Sequence, residues 1–337
     1  MIRFTNIVEK EPKAPPHKGN HKKTHVSLRE IAVFDQDVAV KESPVASDTA
    51  NDGAAYYKGL CKLADTVREW VKSDQAINIS AIASVMRDIV EKDFIEKVYH
   101  HLTFNGDGAV VLPSRAMRVT LLSLKIGMGM GYDDERLVEL GTAAFLHDVG
   151  RYKMPEDVVN KEGSPSDQRH PQISADILSG SDDNYGWLAT VVLQVHERAD
   201  GSGYPFGHTR EEIHEYAFII GLADMYADMI SNGRGGQGAE PHAAIREILA
   251  TAQQEFPTTV VKNFVNQVSF FPLGSYVKLN DRSIGRVVST NPDYPLRPTV
   301  EVLNDGIGGT VGNTRVVDLS QQILLYITGS VDETENP

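Results

Sequence analysis

The amino-acid sequence is poor in cysteine, in long apolar runs and in basic residues, and each shortage narrows the range of functions. Its 337 residues include one cysteine, Cys61, so an internal disulfide is excluded. No uncharged apolar run approaches the roughly 20 residues that cross a bilayer, and the first residues have no apolar signal core. We therefore expect a cytoplasmic protein without a membrane partner.

Positive charge is also scarce, since 33 lysines and arginines face 46 acidic residues and leave a formal net charge of −13. Nonspecific DNA binding depends on cationic side chains that neutralise phosphates, so we expect no DNA partner. A small phosphate ligand stays compatible, because a single pocket can be basic on an acidic protein. Hydrophobic residues make up 41% of the chain, which at this length allows a substantial core without disulfides.

The composition changes along the chain and predicts four segments. Residues 8–25 are rich in lysine, proline and histidine and have almost no apolar content, and we predict a disordered basic arm over 1–25. Residues 26–53 hold one short apolar patch and stay unassigned beyond a strand followed by a linker. From residue 54 apolar residues recur at spacings of three and four, as in amphipathic helices. We predict a helical domain over 54–268, with its core at about 103–255, and a small β-segment over 269–330.

Capping residues and glycines mark several element ends. Asn78 or Ser80 is a candidate N-cap for one helix, and Asp133 for another that follows Gly131. Gly150 is expected to end that second helix. Helices are predicted over 115–129, 133–148, 170–179, 186–197, 215–231 and 240–255. Short strands are predicted over 276–279, 284–288, 299–303 and 322–327.

Histidine and aspartate residues at the predicted helix ends are the candidates for chemistry. His147 and Asp148 adjoin at one end and offer an imidazole nitrogen and a carboxylate, ligands that suit Fe, Mn or Zn. His170 precedes a proline, and His196 precedes a glutamate. Each histidine alone is more often a hydrogen-bonded core residue than a metal ligand. Asp224 lies in an apolar helical run, where an ionised carboxylate is costly unless it is paired or bound to a metal.

A short loop follows His196, and its two glycines and proline predict a tight, shaped turn. Alone it is compatible with an ordinary surface turn. The order of the motifs is more specific, because His-Asp, His-Pro, His-Glu, Asp-Gly-x-Gly-Tyr-Pro and Ala-Asp follow one another on a helical background. This order resembles the HD-GYP family of cyclic di-GMP phosphodiesterases. The resemblance covers about residues 54–305.

The resemblance implies an all-α HD-type helical bundle with a small C-terminal β-appendage. It also implies a centre of two or three metal ions, often iron, that activates water against a phosphodiester of cyclic di-GMP. The metal ligands that it implies are His147, Asp148, His170, His196 and Asp224. The catalytic residues that it implies are Asp148 and Arg151. Contacts to substrate or to the loop fall on Asp200, Gly201, Gly203, Tyr204, Pro205, Arg115 and Arg234.

Three ligand positions of the family are substituted in this chain. Arg115 stands where the family has a histidine, and a guanidinium has no lone pair to give. Val195 replaces the first of two adjacent histidines, and the family's glutamate falls near Val111. One metal ion needs three or four protein ligands. We therefore expect one divalent ion (Fe, Mn or similar) or none, bound either by His147, Asp148 and Asp224 or by Asp148, His170 and His196.

Three functions stay open at this point. The favoured one is a degenerate HD-GYP protein that binds cyclic di-GMP, a related nucleotide or a signalling protein through the Gly-Tyr-Pro loop, with weak or absent hydrolysis. The second is an active phosphodiesterase with a reduced metal centre. The third is a structural module without nucleotide binding, which would leave Asp224 and the loop without an evident purpose.

Overall fold

The structure is a computed structural model that describes most of the chain beyond residue 48. The described residues are 49–105, 112–155, 167–180, 183–232, 239, 241–268, 270–271, 273–291, 294–304 and 310–331. The predicted basic arm at 1–25 and nearly all of segment 26–53 lie outside them, as does Arg234.

Ten α-helices, counted within these residues, form the body of the molecule, as the sequence predicted. Their bounds are α1 Thr49–Lys72, α2 Ile79–Glu91, α3 Ile95–Asn105, α4 Leu112–Gly129, α5 Asp134–Leu146, α6 His170–Ser179, α7 Gly186–Leu193, α8 Glu215–Asn232, α9 Pro241–Glu255 and α10 Thr258–Gln267. In the described part of the chain, no helix is both long and apolar enough to cross a membrane.

The central helix is α4, which packs against α3, α5, α8 and α10. Because it has neighbours on several sides, its apolar residues are buried around most of its circumference. Six of them are completely buried: Met117, Val119, Leu121, Leu122, Leu124 and Ile126. This arrangement leaves the N-terminal part of α4 facing α8 in the interior, where a polar side chain must find a partner.

Two predicted caps are confirmed. The side chain of Asn78 accepts a hydrogen bond from the backbone of Ala81 at the start of α2, and Asp133 does the same for Arg136 at the start of α5. Gly131 has a φ of +77° between α4 and α5, a conformation that favours glycine.

Two predicted helix ends are wrong. Helix α5 ends at Leu146 rather than near Gly150, and the chain continues as a 3-10 turn over Val149–Lys153. Gly150 is needed for close packing against α6, since a Cβ atom there would lie 2.4 Å from the carbonyl oxygen of His170. Helix α7 ends at Leu193, so His196 lies in the turn after the helix rather than on it.

The C-terminal part is a five-stranded antiparallel sheet with the order β4-β3-β2-β1-β5. The strands are β1 Tyr276–Leu279, β2 Ile284–Ser289, β3 Thr299–Asn304, β4 Thr310–Asp318 and β5 Ile327–Ser330. Four valines pack on its buried side: Val277, Val287, Val300 and Val317. The sequence missed β4. Its predicted strand over 322–327 is wrong, because that segment forms turns with Ile323 and Leu324 largely exposed.

Candidate metal centre

The candidate ligands come from four separate elements that the helical packing brings together. His147 and Asp148 follow α5, and His170 is the first residue of α6. His196 lies in the turn after α7, and Asp224 lies in the middle of α8. All five side chains are buried, with exposed fractions of 9% or less. These residues form two groups whose ligand atoms lie within 4.8 Å of one another, and the two groups share Asp148.

The first group consists of Asp148, His170 and His196. The Nε2 atom of His170 lies 3.2 Å from Oδ1 of Asp148 and 2.8 Å from Nε2 of His196. The Nδ1 atom of His170 lies 2.7 Å from the backbone carbonyl oxygen of Asp167. A carbonyl can only accept, so Nδ1 carries the proton and the lone pair of Nε2 points into the group. This is the orientation that metal-binding histidines adopt.

The second group consists of His147, Asp148 and Asp224. Nδ1 of His147 donates to the carbonyl oxygen of Ala144 at 2.7 Å, so its Nε2 also presents a lone pair. That Nε2 lies 3.4 Å from Oδ1 of Asp224 and 3.6 Å from Oδ2 of Asp148. It is buried without a hydrogen-bond partner in the described structure. By geometry alone, this group also has the donors that a divalent ion prefers.

Arg115 lies directly against the second group. Its Nη2 and Nε atoms donate to Oδ1 of Asp224 at 2.9 and 3.2 Å. Nε also lies 3.8 Å from Oδ2 of Asp148, and Nη1 forms an ion pair with Asp228. The Arg115 side chain is 3% exposed, so its positive charge lies inside the centre rather than in solvent. A cation already accompanies the carboxylates of this group.

Arg151 lies beside the same oxygen of Asp148 as Arg115, and its main partner was not predicted. Its Nε lies 3.0 Å from Oδ2 of Asp148. Its Nη2 donates to Oδ2 of Asp167 at 3.3 Å, and its Nη1 lies 3.2 Å from Oδ1 of the same residue. Asp167 is 1% exposed. Its sequence neighbourhood is polar and resembles a loop, so no apolar pattern marked it as buried.

Opposing charges shift the pKa values within the centre. Burial alone would raise the pKa of Asp148, but the positive charge around it, first of all that of Arg151, outweighs burial and holds the pKa well below its usual range. For Asp224, Arg115 outweighs burial in the same way, so its pKa is also lowered. Burial would lower the pKa of His147, but Asp148 and Asp224 raise it. Both carboxylates are therefore ionised at neutral pH.

The predicted loop lies beside the first group. The ring of Tyr204 stacks on His196, with ring centroids 4.8 Å apart and planes 6° from parallel. Burial lowers the pKa of His196, so this imidazole is neutral at neutral pH. Asp200 is exposed and accepts hydrogen bonds from Ser202, so its carboxylate shapes the turn instead of joining the centre. Gly201 has a φ of +79° in that turn.

A buried glutamate that was not assigned a role fixes the shape of the loop. Glu197 is 1% exposed and accepts hydrogen bonds from the backbone N–H groups of Phe206 at 2.7 Å and His208 at 3.0 Å. Gly203 passes so close to Glu197 that a Cβ atom would lie 2.4 Å from its Cα atom. Pro205 and Phe206 are left exposed at the tip. The loop therefore has a defined conformation beside the histidines.

A metal ion fits the first group better than the second. In the first group two imidazole nitrogens and Oδ1 of Asp148 converge, and that oxygen is buried without a hydrogen bond in the described residues. In the second group the guanidinium of Arg115 is already paired with Asp224 and lies near Asp148. A second cation there would meet a like charge at short range. The residues thus suit one ion beside Asp148, His170 and His196.

The chain is similar to a known domain family and to several known proteins. A family model described as "HD domain" matches residues 103–260, and one described as "KOW domain associated with HD domain" matches residues 276–336. The cyclic di-GMP phosphodiesterase PA4108 of Pseudomonas aeruginosa is 30% identical over 212 residues, which are 61% of this chain and 51% of that protein. The cyclic di-GMP phosphodiesterase PdeB of Borreliella burgdorferi is 29% identical over 214 residues, 61% of this chain and 54% of that protein. The chain thus spans about half the length of these curated relatives.

A solved structure shares the fold. Bd1817, an HDG"Y"P protein from Bdellovibrio bacteriovorus, superposes with a TM-score of 0.52 at 16% identity. The superposition covers 66% of this chain and 73% of that one. The fold and the paired histidine–aspartate groups define an HD-domain protein. Within that class, the family match and the two relatives support the HD-GYP family.

Proposed function

We propose that this protein binds cyclic di-GMP or a related nucleotide in cyclic di-GMP signalling and hydrolyses it weakly or not at all. Two curated relatives are named as cyclic di-GMP phosphodiesterases, which supports the nucleotide class. The weak hydrolysis rests on one observation, the guanidinium of Arg115 against Asp224 and Asp148. A fixed cation in that position takes the space and the charge of a second metal ion.

The charge of the centre supports a single ion. Four carboxylates lie within ion-pair distance of two guanidinium groups: Asp148, Asp167, Asp224 and Asp228 around Arg115 and Arg151. This leaves two negative charges, which one divalent ion would balance. A second divalent ion would leave an excess of positive charge in a buried site, and unbalanced buried charge is costly.

Asp148, His170 and His196 would hold that ion, which is Fe, Mn or a similar divalent metal. When bound, such an ion lowers the pKa of a coordinated water and holds phosphoryl oxygens. Phosphodiester hydrolysis in related centres divides these two tasks between metals, so the loss of one removes a large share of the rate. The guanidinium groups of Arg115 and Arg151 would supply charge for holding a phosphate, because arginine suits phosphate geometry.

The Gly-Tyr-Pro loop is proposed as the second contact surface. Tyr204 stacks on His196 and so connects the loop to the centre, while Pro205 and Phe206 face solvent. Because Glu197 holds the loop backbone, the exposed tip is preformed. A preformed apolar tip next to a nucleotide site is suited to contact either the nucleotide or a signalling protein.

One observation favours an active phosphodiesterase as the second candidate. The first group keeps three donors, and the hydrogen bond from His170 Nδ1 to Asp167 gives its Nε2 the orientation of a metal ligand. Three protein ligands with an open position are the usual number in catalytic mononuclear zinc sites. Hydrolysis with one bound ion is therefore the alternative function.

Metal analysis of the purified full chain, together with cyclic di-GMP binding and turnover with Fe(II) or Mn(II), tests the proposal. We expect one bound ion at most, measurable nucleotide binding and little or no product. The Arg115→His variant should bind more metal, because it removes the fixed cation and adds a ligand to the second group. The Arg118→His variant is the matched control, one turn along α4, where the described residues provide no ion pair for Arg118.

Three outcomes would contradict the proposal. Two ions per chain with rapid turnover in the unmodified protein would make it a phosphodiesterase with a complete centre. Turnover with one ion would support the second candidate. The absence of any nucleotide binding would support a structural module.

A further inference from the structure

We infer that Asp167 is a positioning residue of the metal centre, which acts through Arg151 to direct a single oxygen of Asp148 towards the ion. The inference deepens the proposed one-ion centre and rests on it. Asp167 lies outside every motif on which the family resemblance was based, and it is the acid most completely enclosed by the centre, at 1% exposure.

The first contact of Asp167 is with the guanidinium of Arg151. Both oxygens of the Asp167 carboxylate face the two terminal nitrogens of Arg151, at 3.2 and 3.3 Å. The Nη2–Oδ2 contact is a hydrogen bond and the Nη1–Oδ1 contact is an ion pair, and together they hold the guanidinium beside Asp167. The remaining nitrogen, Nε, thereby lies 3.0 Å from Oδ2 of Asp148 and forms an ion pair with it.

As a consequence, the two oxygens of Asp148 have different neighbours. Oδ2 lies beside Arg151 Nε, with Arg115 Nε 3.8 Å away, and so belongs to the arginine side of the centre. Oδ1 faces Nε2 of His170 at 3.2 Å and so belongs to the histidine side. A carboxylate held in this way presents one oxygen to an ion in a fixed direction. Without Asp167, the Arg151 side chain would lose the partner that sets this direction.

The second contact of Asp167 is through its backbone. Its carbonyl oxygen accepts from Nδ1 of His170 at 2.7 Å, which orients the imidazole. The 3-10 turn Asp167–Arg169 leads directly into α6, and Gly150 allows the turn that carries Arg151 to pack against the start of that helix. One residue thus orients two neighbours of the ion site, one through its side chain and one through its main chain.

The charge of Asp167 matters as well as its geometry. Arg151 is a permanent cation beside Asp148, and an unneutralised cation would oppose the binding of a metal ion. Asp167 neutralises it from the side away from Asp148. If the pair were only a structural contact, its removal would change stability and leave metal affinity alone. If Asp167 positions the centre, its removal must weaken metal binding.

The test is the affinity of the full chain for Mn(II) alone, read from the electron paramagnetic resonance signal of the unbound ion. Asp167→Asn keeps the shape and removes the charge, so we expect Mn(II) affinity to fall about 10- to 100-fold, as for other residues that orient metal ligands. In the Arg151→Gln background the same change should have little further effect, because the partner through which Asp167 acts is already gone. Asp176→Asn, an exposed aspartate on α6, is the control and should match the unmodified chain.

The double variant also guards against misfolding, because Asp167 is then uncharged and Arg115 stays 3.8 Å from the carboxylate of Asp148. Equal Mn(II) affinity in the unmodified chain and in Asp167→Asn would overturn the role of Asp167 and leave the one-ion centre standing. An equal loss in the presence and absence of Arg151 would also overturn it, since Asp167 would then not act through Arg151. Failure of the unmodified chain to bind Mn(II) would overturn the one-ion centre and this role together.

Discussion

Replacing Arg115 by methionine should destabilise the protein, and added metal should reverse part of the loss. The change keeps a side chain of similar length and removes the charge next to Asp224, whose carboxylate is 3% exposed. Breaking a buried ion pair by removing one partner costs about 3–5 kcal/mol. We expect the lower end, about 3 kcal/mol, because Asp148 keeps Arg151 and the Asp228 side chain is 38% exposed and can be hydrated.

The effect of added metal distinguishes the loss of a buried counter-ion from an ordinary loss of packing. Without Arg115, the His147, Asp148 and Asp224 group has three donors and no cation, so it should accept an ion that the unmodified chain refuses. An ion present at about 100 times its dissociation constant would restore about 2.7 kcal/mol. Urea unfolding with and without Mn(II) measures the difference in the free energy of unfolding between the variant and the unmodified chain. That difference should become smaller when Mn(II) is added.

The control for this experiment is Arg118→Met, on the same helix but without an ion pair among the described residues. It should change the free energy of unfolding by no more than about 0.5 kcal/mol, with or without Mn(II). A loss below about 1 kcal/mol for Arg115→Met would refute the claim that Arg115 is an essential internal counter-ion. A large loss that Mn(II) leaves unchanged would refute the claim that it stands in place of an ion.

Three further changes have expected outcomes. Gly150→Ala places a Cβ atom 2.4 Å from the carbonyl oxygen of His170, so it should cost about 1–3 kcal/mol in urea unfolding and weaken Mn(II) binding by displacing α6. Glu197→Ala leaves two backbone N–H groups of the loop without their acceptor, and each should lower the free energy of unfolding by about 1–3 kcal/mol. The change should also speed proteolytic cleavage of that loop. Burial lowers the pKa of His214, so the unfolded chain takes up the proton first and stability should fall as pH drops below about 6.5. His214→Gln should reduce that dependence, and an unchanged pH profile would contradict it.

The candidate histidines and Asp148 could be predicted because each stands at or near an element boundary within a recognisable motif, and Asp224 because it is an acid within an apolar helical run. The apolar periodicity predicted the helices, and the order of the motifs identified His147, His170 and His196 near their ends. The partners of these residues could not be predicted in the same way. Arg151 and Asp167 are 16 residues apart, and Arg115 and Asp224 are 109 apart. Only the packing of α4 against α8, and of the 3-10 turn against α6, shows that they meet.

The errors in the sheet have a similar physical origin. Strand β4 contains glycine and asparagine, which usually mark turns, so its pattern did not predict a strand. The segment over 322–327 is apolar and contains Ile323 and Leu324, yet these side chains are 78% and 89% exposed. Hydrophobic composition predicts a strand only where a facing surface covers it, and the described residues provide no such cover there.

The arginine at position 115 removes a ligand from the second group and also adds a positive charge to it. A missing histidine alone would leave a group of three donors that still attracts a cation. The guanidinium of Arg115 is a cation that is paired with Asp224 and lies close to Asp148. Part of the negative charge of the group is therefore already balanced without a metal ion. Arg115→His should therefore give the second group four donors, while the first group, which lacks the imidazole replaced by Val195, keeps three. A reconstructed centre of two ions would then depend on residues that are already in place around Asp148.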